Sequence, residues 1–104
     1  MKKSCSCITD TRMADSLLSL EPLLKALADA NRLKIVCLLA KQEHCVCELV
    51  ESLDLAQNLI SHHLGVLKKN DLVECRREGT NMYYALNAKT AQRMESVLKH
   101  VLKK

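Results

Sequence analysis

Between residues 48 and 86 the chain reads as a short helix, a tight connection, a longer helix and two strand-like runs about a glycine. Few folds accommodate that order. Glu48–Leu53 has apolar residues at helical spacing, Asp54-Leu55 makes the connection, and a helix is expected from about Ala56 to Lys69. Leu72–Arg77 and Met82–Leu86 follow as strands, with Glu78-Gly79-Thr80-Asn81 supplying the turn. A helix-turn-helix with a hairpin wing behind it is an arrangement that lays its second helix in the major groove of DNA.

Upstream, helix signals begin near Met13 and give Leu17, Leu18 and Leu20. Glu21-Pro22 opens a second helix, since proline is tolerated in a first turn. Asp29 is expected to cap a third helix running to about Lys41, with Leu33, Val36, Cys37 and Ala40 as its apolar side. Gln42–Cys47 reads as a connecting segment and Ala88–Lys103 as the last helix. Residues 1–12 are polar and aperiodic, so they read as a flexible cysteine-containing arm on a domain spanning 13–104. The expected class is mainly α with a small β-hairpin, a winged helix-turn-helix.

A chain of 104 residues fits one domain of marginal stability, and a partner subunit would add to it. The apolar residues are nearly all aliphatic. Phe and Trp are absent and Tyr83 and Tyr84 are the two tyrosines, which disfavours single-strand binders built on aromatic stacking. Ala91, Met94, Val97, Leu98 and Val101 form a stripe on the last helix; Met94, Val97, Leu98 and Val101 with Leu17 and Leu18 are the expected homodimer surface, with core packing inside one subunit as the alternative. The net charge of +4 permits nucleic-acid binding without demonstrating it. Lys2-Lys3 is followed by no apolar stretch, and no window approaches a membrane span, so a cytoplasmic chain with reduced thiols and no membrane partner is expected. No nucleophile–base pairing or phosphate loop argues for an enzyme.

On a helical projection of Gln57–Lys69, Leu59, Ile60, His63, Leu64, Val66 and Leu67 share one arc. The other arc carries Gln57, Asn58, Ser61, His62, Gly65, Lys68 and Lys69. Amides and hydroxyls can read base edges and lysines neutralise phosphates. Gly65 costs roughly 1 kcal/mol in mid-helix, and its place on the polar arc would admit a close DNA backbone. A solvated face is the plain alternative for such an arc alone; the flanking short helix and wing favour DNA contact. Arg76, Arg77 and Asn81 add candidate phosphate donors in the wing. His63, between Leu59 and Leu67, reads as a packed imidazole.

Six cysteines in a reducing compartment read first as metal ligands or redox groups. Cys5-Ser-Cys7 lies in the arm and Cys45-Val-Cys47 where loop becomes helix. Thiolates at i and i+2 lie about 200° apart within a regular helix, yet they converge readily from a loop or first turn. Four thiolates suit Zn²⁺ or Cd²⁺, and three suit Pb²⁺ or As(III). Cys37 and Cys75 read as packing residues and His44 as an exposed imidazole.

The segments Leu27-Ala28-Asp29-Ala30-Asn31-Arg32-Leu33-Lys34-Ile35, Cys45-Val46-Cys47-Glu48-Leu49 and Ile60-Ser61-His62-His63-Leu64, together with the wing, resemble the ArsR/SmtB family of winged-helix metal sensors, in its CadC/ArsR-like cysteine branch. Ala56 stands where that family usually has a Ser or Thr cap, so Asp54 is a candidate substitute. Ala30-Asn31 replaces the more usual Pro-Thr. The resemblance implies a dimer on an imperfectly palindromic operator, repressing until a soft ion (Cd²⁺, Pb²⁺, Zn²⁺ or As(III)) binds. It further implies that Cys5 and Cys7 of one subunit reach Cys45 and Cys47 of the other. The family's second site, on the last helix, would fall on Asn87, Lys89, His100 and Lys103, of which His100 alone is a competent ligand, so no ion is expected there. A thiol redox switch and an ion buffer without a DNA role are the alternatives.

Overall fold

The computed structural model describes residues 11–103. In chain order these form α1 Thr11–Leu18, α2 Glu21–Leu27, α3 Ala30–Lys41, β1 His44–Cys45, α4 Val46–Leu53, α5 Gln57–Lys69, β2 Val73–Glu78, β3 Asn81–Leu86 and α6 Ala88–Leu102. The class expected from the sequence holds: a mainly helical winged helix-turn-helix. The wing has a third strand, because β1 pairs antiparallel with β3 and gives the order β1-β3-β2. α1 starts within the segment read as an arm, and α4 starts two residues before Glu48. Cys5 and Cys7 lie outside the described residues.

Local chemistry accounts for the boundaries. The Asp29 carboxylate accepts from the amides of Asn31 (2.9 Å) and Arg32 (3.1 Å), which caps α3 as expected. Asp54 does not cap α5. It closes α4 in the left-handed region at φ 55°, and Ala56 precedes α5 as an N-cap residue with no side-chain cap. In the wing, Glu78 pairs with Asn81, leaving Gly79-Thr80 as a two-residue turn. Gly79 takes φ +64°, a conformation that L side chains rarely adopt.

The core gathers Leu20, Leu23, Ile35, Leu39, Leu49, Ile60, Leu64, Leu67, Leu72 and Val73, from the α1–α2 link to β2. The buried face of α3 is not the expected one. Ile35 and Leu39 are its buried residues, whereas Leu33, Cys37 and Ala40 are exposed. Both stripes have helical spacing, and the one packed on α5 and β3 is the one the fold buries. Ala91 is likewise exposed on α6. α6 lies against α1, and Arg93 Nη2 donates to the Ser19 carbonyl (3.2 Å) and hydroxyl (3.1 Å), tying α6 to the α1–α2 link.

Candidate nucleic-acid interface and thiol cleft

The two arcs of α5 separate much as their sequence requires. Ile60, His63, Leu64 and Leu67 are buried, while Gln57, Asn58, Ser61, His62, Gly65, Lys68 and Lys69 are all exposed. Leu59 departs from expectation, at 37% exposure. A Cβ added at Gly65 would meet no atom within 4 Å, so that part of the exposed arc stands open. Lys68 and Lys69 close the last turn, where their charges also favour the helix dipole.

His63 is the packed imidazole that its position predicts, at 5% exposure. Arg32 Nη1 lies 3.2 Å from its Nδ1. A guanidinium only donates, so Nδ1 accepts and the ring is neutral with its proton on Nε2. Arg32 Nε donates to the Ala26 carbonyl. One arginine therefore ties the α2–α3 corner to the recognition helix, a tie that sequence alone signalled only through the Asp29 cap. Burial holds the His63 pKa below its ordinary value; the charges of Arg32 and His62 act the same way, and that of Asp29 opposes them.

In the wing, Arg77 and Asn81 are exposed beside the Gly79 turn. Arg76 is placed differently from a free phosphate donor. Its Nε and Nη2 donate to Glu43 at 3.0 and 2.7 Å, its Nη1 donates to Glu78 at 3.0 Å, and its guanidinium lies 5.0 Å from the Tyr83 ring centroid. These carboxylates raise the Arg76 pKa further. Arg76 thus clamps the wing to the segment before β1. The Glu43 partner has no sequence signal, because it is 33 residues away.

The Cys45–Cys47 pair stands where wing and reading head meet. Cys45 pairs with Tyr83 in β3 and also occupies the N-cap of α4 in a capping box, its amide donating to Glu48 Oε1 at 3.0 Å. Cys45 is buried and Cys47 exposed, and their sulfurs lie 2.8 Å apart. The i, i+2 spacing does converge, since one residue precedes the helix and the other sits in its first turn. The Cys45 side-chain contact raises the Cys47 pKa, with desolvation and the charges of Cys45 and Glu48 adding to it and the Glu48 backbone opposing. Both thiols line a cleft of about 270 Å³ whose other walls include Gln57 of α5 and Thr80 and Asn81 of the wing. Among the described residues no third His, Cys, Asp or Glu completes a metal-binding group. Cys75 is half-buried beside Tyr84, as packing requires, and His44 is half-buried with Nδ1 donating to the Gln42 carbonyl at 2.9 Å.

On the α1–α6 side, Leu17, Met94, Val97 and Leu98 are half-buried against the core of their own chain. Leu18 and Leu102 remain 67% and 76% exposed, and Val101 is half-buried. No helix among the described residues is long and apolar enough to cross a membrane.

The family model for bacterial regulatory proteins of the arsR family matches residues 29–74, from the Asp29 cap into β2. The solved winged helix-turn-helix domain from Mycobacterium bovis, described as homodimeric and DNA-binding, is 34% identical; the match covers 88% of this chain and 85% of that one at a TM-score of 0.69. The chain belongs to the arsR family. Its members are transcriptional regulators rather than enzymes. Within the arsR family it is 44% identical over 61 residues to the "Transcriptional repressor SmtB homolog" of Synechocystis, a match covering 59% of this chain and 46% of that protein. It is 41% identical over 68 residues to the "Arsenical resistance operon repressor" of Staphylococcus aureus, covering 65% of each. The chain thus spans less than two thirds of the length of either relative. The structure of reduced HlyU from Vibrio cholerae is 33% identical, with 86% of this chain and 95% of that chain covered and a TM-score of 0.73.

Proposed function

We propose that this chain is a homodimeric repressor that binds an imperfectly palindromic operator and releases it when a soft metal or metalloid ion binds at Cys45 and Cys47. The observation that carries the reading is the cleft. Its thiols share walls with Gln57 at the start of the recognition helix and with Asn81 at the wing tip, so an ion there lies against both elements that would touch DNA. Gln57, Asn58, Ser61 and His62 are the base-facing candidates. Lys68, Lys69, Arg77 and Asn81 are the phosphate-facing ones, with Arg76 holding the wing in place.

The donor chemistry fits a soft ion, because two sulfurs already converge. Cys5 and Cys7 from the partner subunit are proposed to complete a four-thiolate site for Cd²⁺ or Zn²⁺, or a three-thiolate subset for Pb²⁺ or As(III). With four thiolates and a divalent ion, coordination expels the thiol protons and leaves negative charge beside Gln57 and Asn81, which opposes phosphate. Coupling of this kind commonly amounts to about 1–3 kcal/mol and is reciprocal, so operator DNA should weaken ion binding by the same factor.

The test is anisotropy of a labelled operator-length duplex in reductant, with Cd²⁺, Pb²⁺, Zn²⁺ and As(III) titrated against wild type and Cys45→Ser/Cys47→Ser. Release by one of these ions, abolished in the variant, is the expected result. The 2.8 Å sulfur separation also favours a second reading, a dithiol–disulfide switch. That reading expects release by peroxide and indifference to ions under reductant. A protein that binds ions but no duplex would be a buffer instead.

A further inference from the structure

A third sulfur-bearing residue lines the thiol cleft. Met82, in β3, lines it together with Cys45 and Cys47. Met82 directly precedes Tyr83, the pairing partner of Cys45, so it lies across from the point where the chain leaves β1 for α4. It is half-buried at a wing tip whose neighbours Thr80 and Asn81 are exposed, and it takes no part in the hydrophobic cluster that holds Tyr84 and Leu86 of the same strand. Core packing therefore does not account for a methionine here. The remaining side chains of the cleft offer only amide, hydroxyl or hydrocarbon.

We propose that Cys45, Cys47 and Met82 form a three-sulfur site for a monovalent soft cation, Cu(I) or Ag(I), complete within one subunit. Thiolate and thioether donors together select such ions, whereas Zn²⁺ and similar divalent ions favour four nitrogen or charged sulfur donors. On binding, both thiols release their protons to solvent, two metal–thiolate bonds form, and the Met82 sulfur donates a lone pair; no electron is transferred. The ion would pin β3 to the first turn of α4. The inference rests on reading the Cys45–Cys47 pair as an ion site, but it needs neither Cys5 nor Cys7.

The experiment uses the full chain under argon and competes a chromogenic chelator for Cu(I). It compares wild type, Met82→Leu, Cys5→Ser/Cys7→Ser and Cys45→Ser/Cys47→Ser, with Ag(I) as a redox-inert check. Leucine keeps the volume of methionine, and circular dichroism verifies the fold. We expect Met82→Leu to weaken Cu(I) binding by at least about tenfold, with Cd²⁺ binding held within about twofold. Cys5→Ser/Cys7→Ser should bind Cu(I) as wild type does. X-ray absorption of selenomethionine-labelled protein should show a copper–selenium shell that Met82→Leu removes. Unchanged Cu(I) affinity in Met82→Leu, or a missing copper–selenium shell, overturns the three-sulfur site and leaves the thiol pair as effector site intact. Unchanged Cu(I) and Cd²⁺ binding in Cys45→Ser/Cys47→Ser overturns both.

Discussion

Gly65 separates stability from recognition at a single position. It is exposed in mid-helix, and a Cβ there meets nothing within 4 Å. Gly65→Ala should raise unfolding stability by about 0.5–1 kcal/mol in urea melts. If duplex DNA approaches this arc, the same change weakens operator affinity. His63 sets an acid limit. Its pKa is depressed in the folded state, so the unfolded chain takes up the proton first. Stability should be complete above the ordinary histidine value of about 6.5 and fall as pH drops towards the folded value. Melts at about pH 7.5 and pH 5 should show this loss in wild type, and His63→Gln should not show the same drop. The raised pKa of Cys47 bears on the proposed ion site instead. If the proposed ion binds there, coordination must displace its proton, so apparent Cd²⁺ affinity should rise with pH through the neutral range, with proton release detectable in weak buffer. Cys47→Ser should flatten that dependence.

At the scale of elements, the reading helix was legible and its neighbours only partly so. The polar arc of α5 is exposed throughout because one face of that helix is strongly apolar and the other is not. α3 misled because Leu33, Cys37 and Ala40 form a stripe as regular as Ile35 and Leu39, and periodicity within one helix does not say which stripe meets the core. β1 had no signal at all. Two residues show no alternation, and their strand conformation comes from pairing with Tyr83 and Tyr84 far along the chain. Asp54 gave a cap residue in the right neighbourhood, but its left-handed backbone ends α4 and leaves α5 uncapped. The cysteine pair was found by spacing, whereas the cleft around it required the wing to fold back beside Gln57. That placement yields an expectation for the element itself: bound operator should slow alkylation of Cys47 by iodoacetamide at least severalfold, because the exposed thiol opens beside the α5 N-terminus. Equal rates with and without DNA would place the duplex elsewhere.

The described residues form an elongated body, 59 × 22 × 20 Å, with a radius of gyration of 16.9 Å. A compact chain of this length would have a radius near 13 Å. The α1–α6 pair carries exposed Leu18 and Leu102, while Leu17, Met94, Val97 and Leu98 keep part of their surface uncovered. A second copy seated there would cover them and present two recognition helices to successive half-sites. Leu18→Glu/Leu102→Glu should shift sedimentation towards monomer. Operator affinity should fall with it by more than tenfold, because a half-site held alone lacks the second contact. A variant that remains dimeric would move the interface off these leucines.

The pairing of β1 with β3 has a further consequence, in the order of events during folding. It joins His44 to Tyr84 and Cys45 to Tyr83, positions some forty residues apart, through two residues only. The β2–β3 hairpin closes over a two-residue turn and has every kinetic advantage over it. The edge that carries Cys45 is therefore expected to close after the hairpin. A ligand on Cys45, as proposed above, would act at this long-range seam, which the Arg76–Glu43 pair also holds, and so would bear on the population of open states.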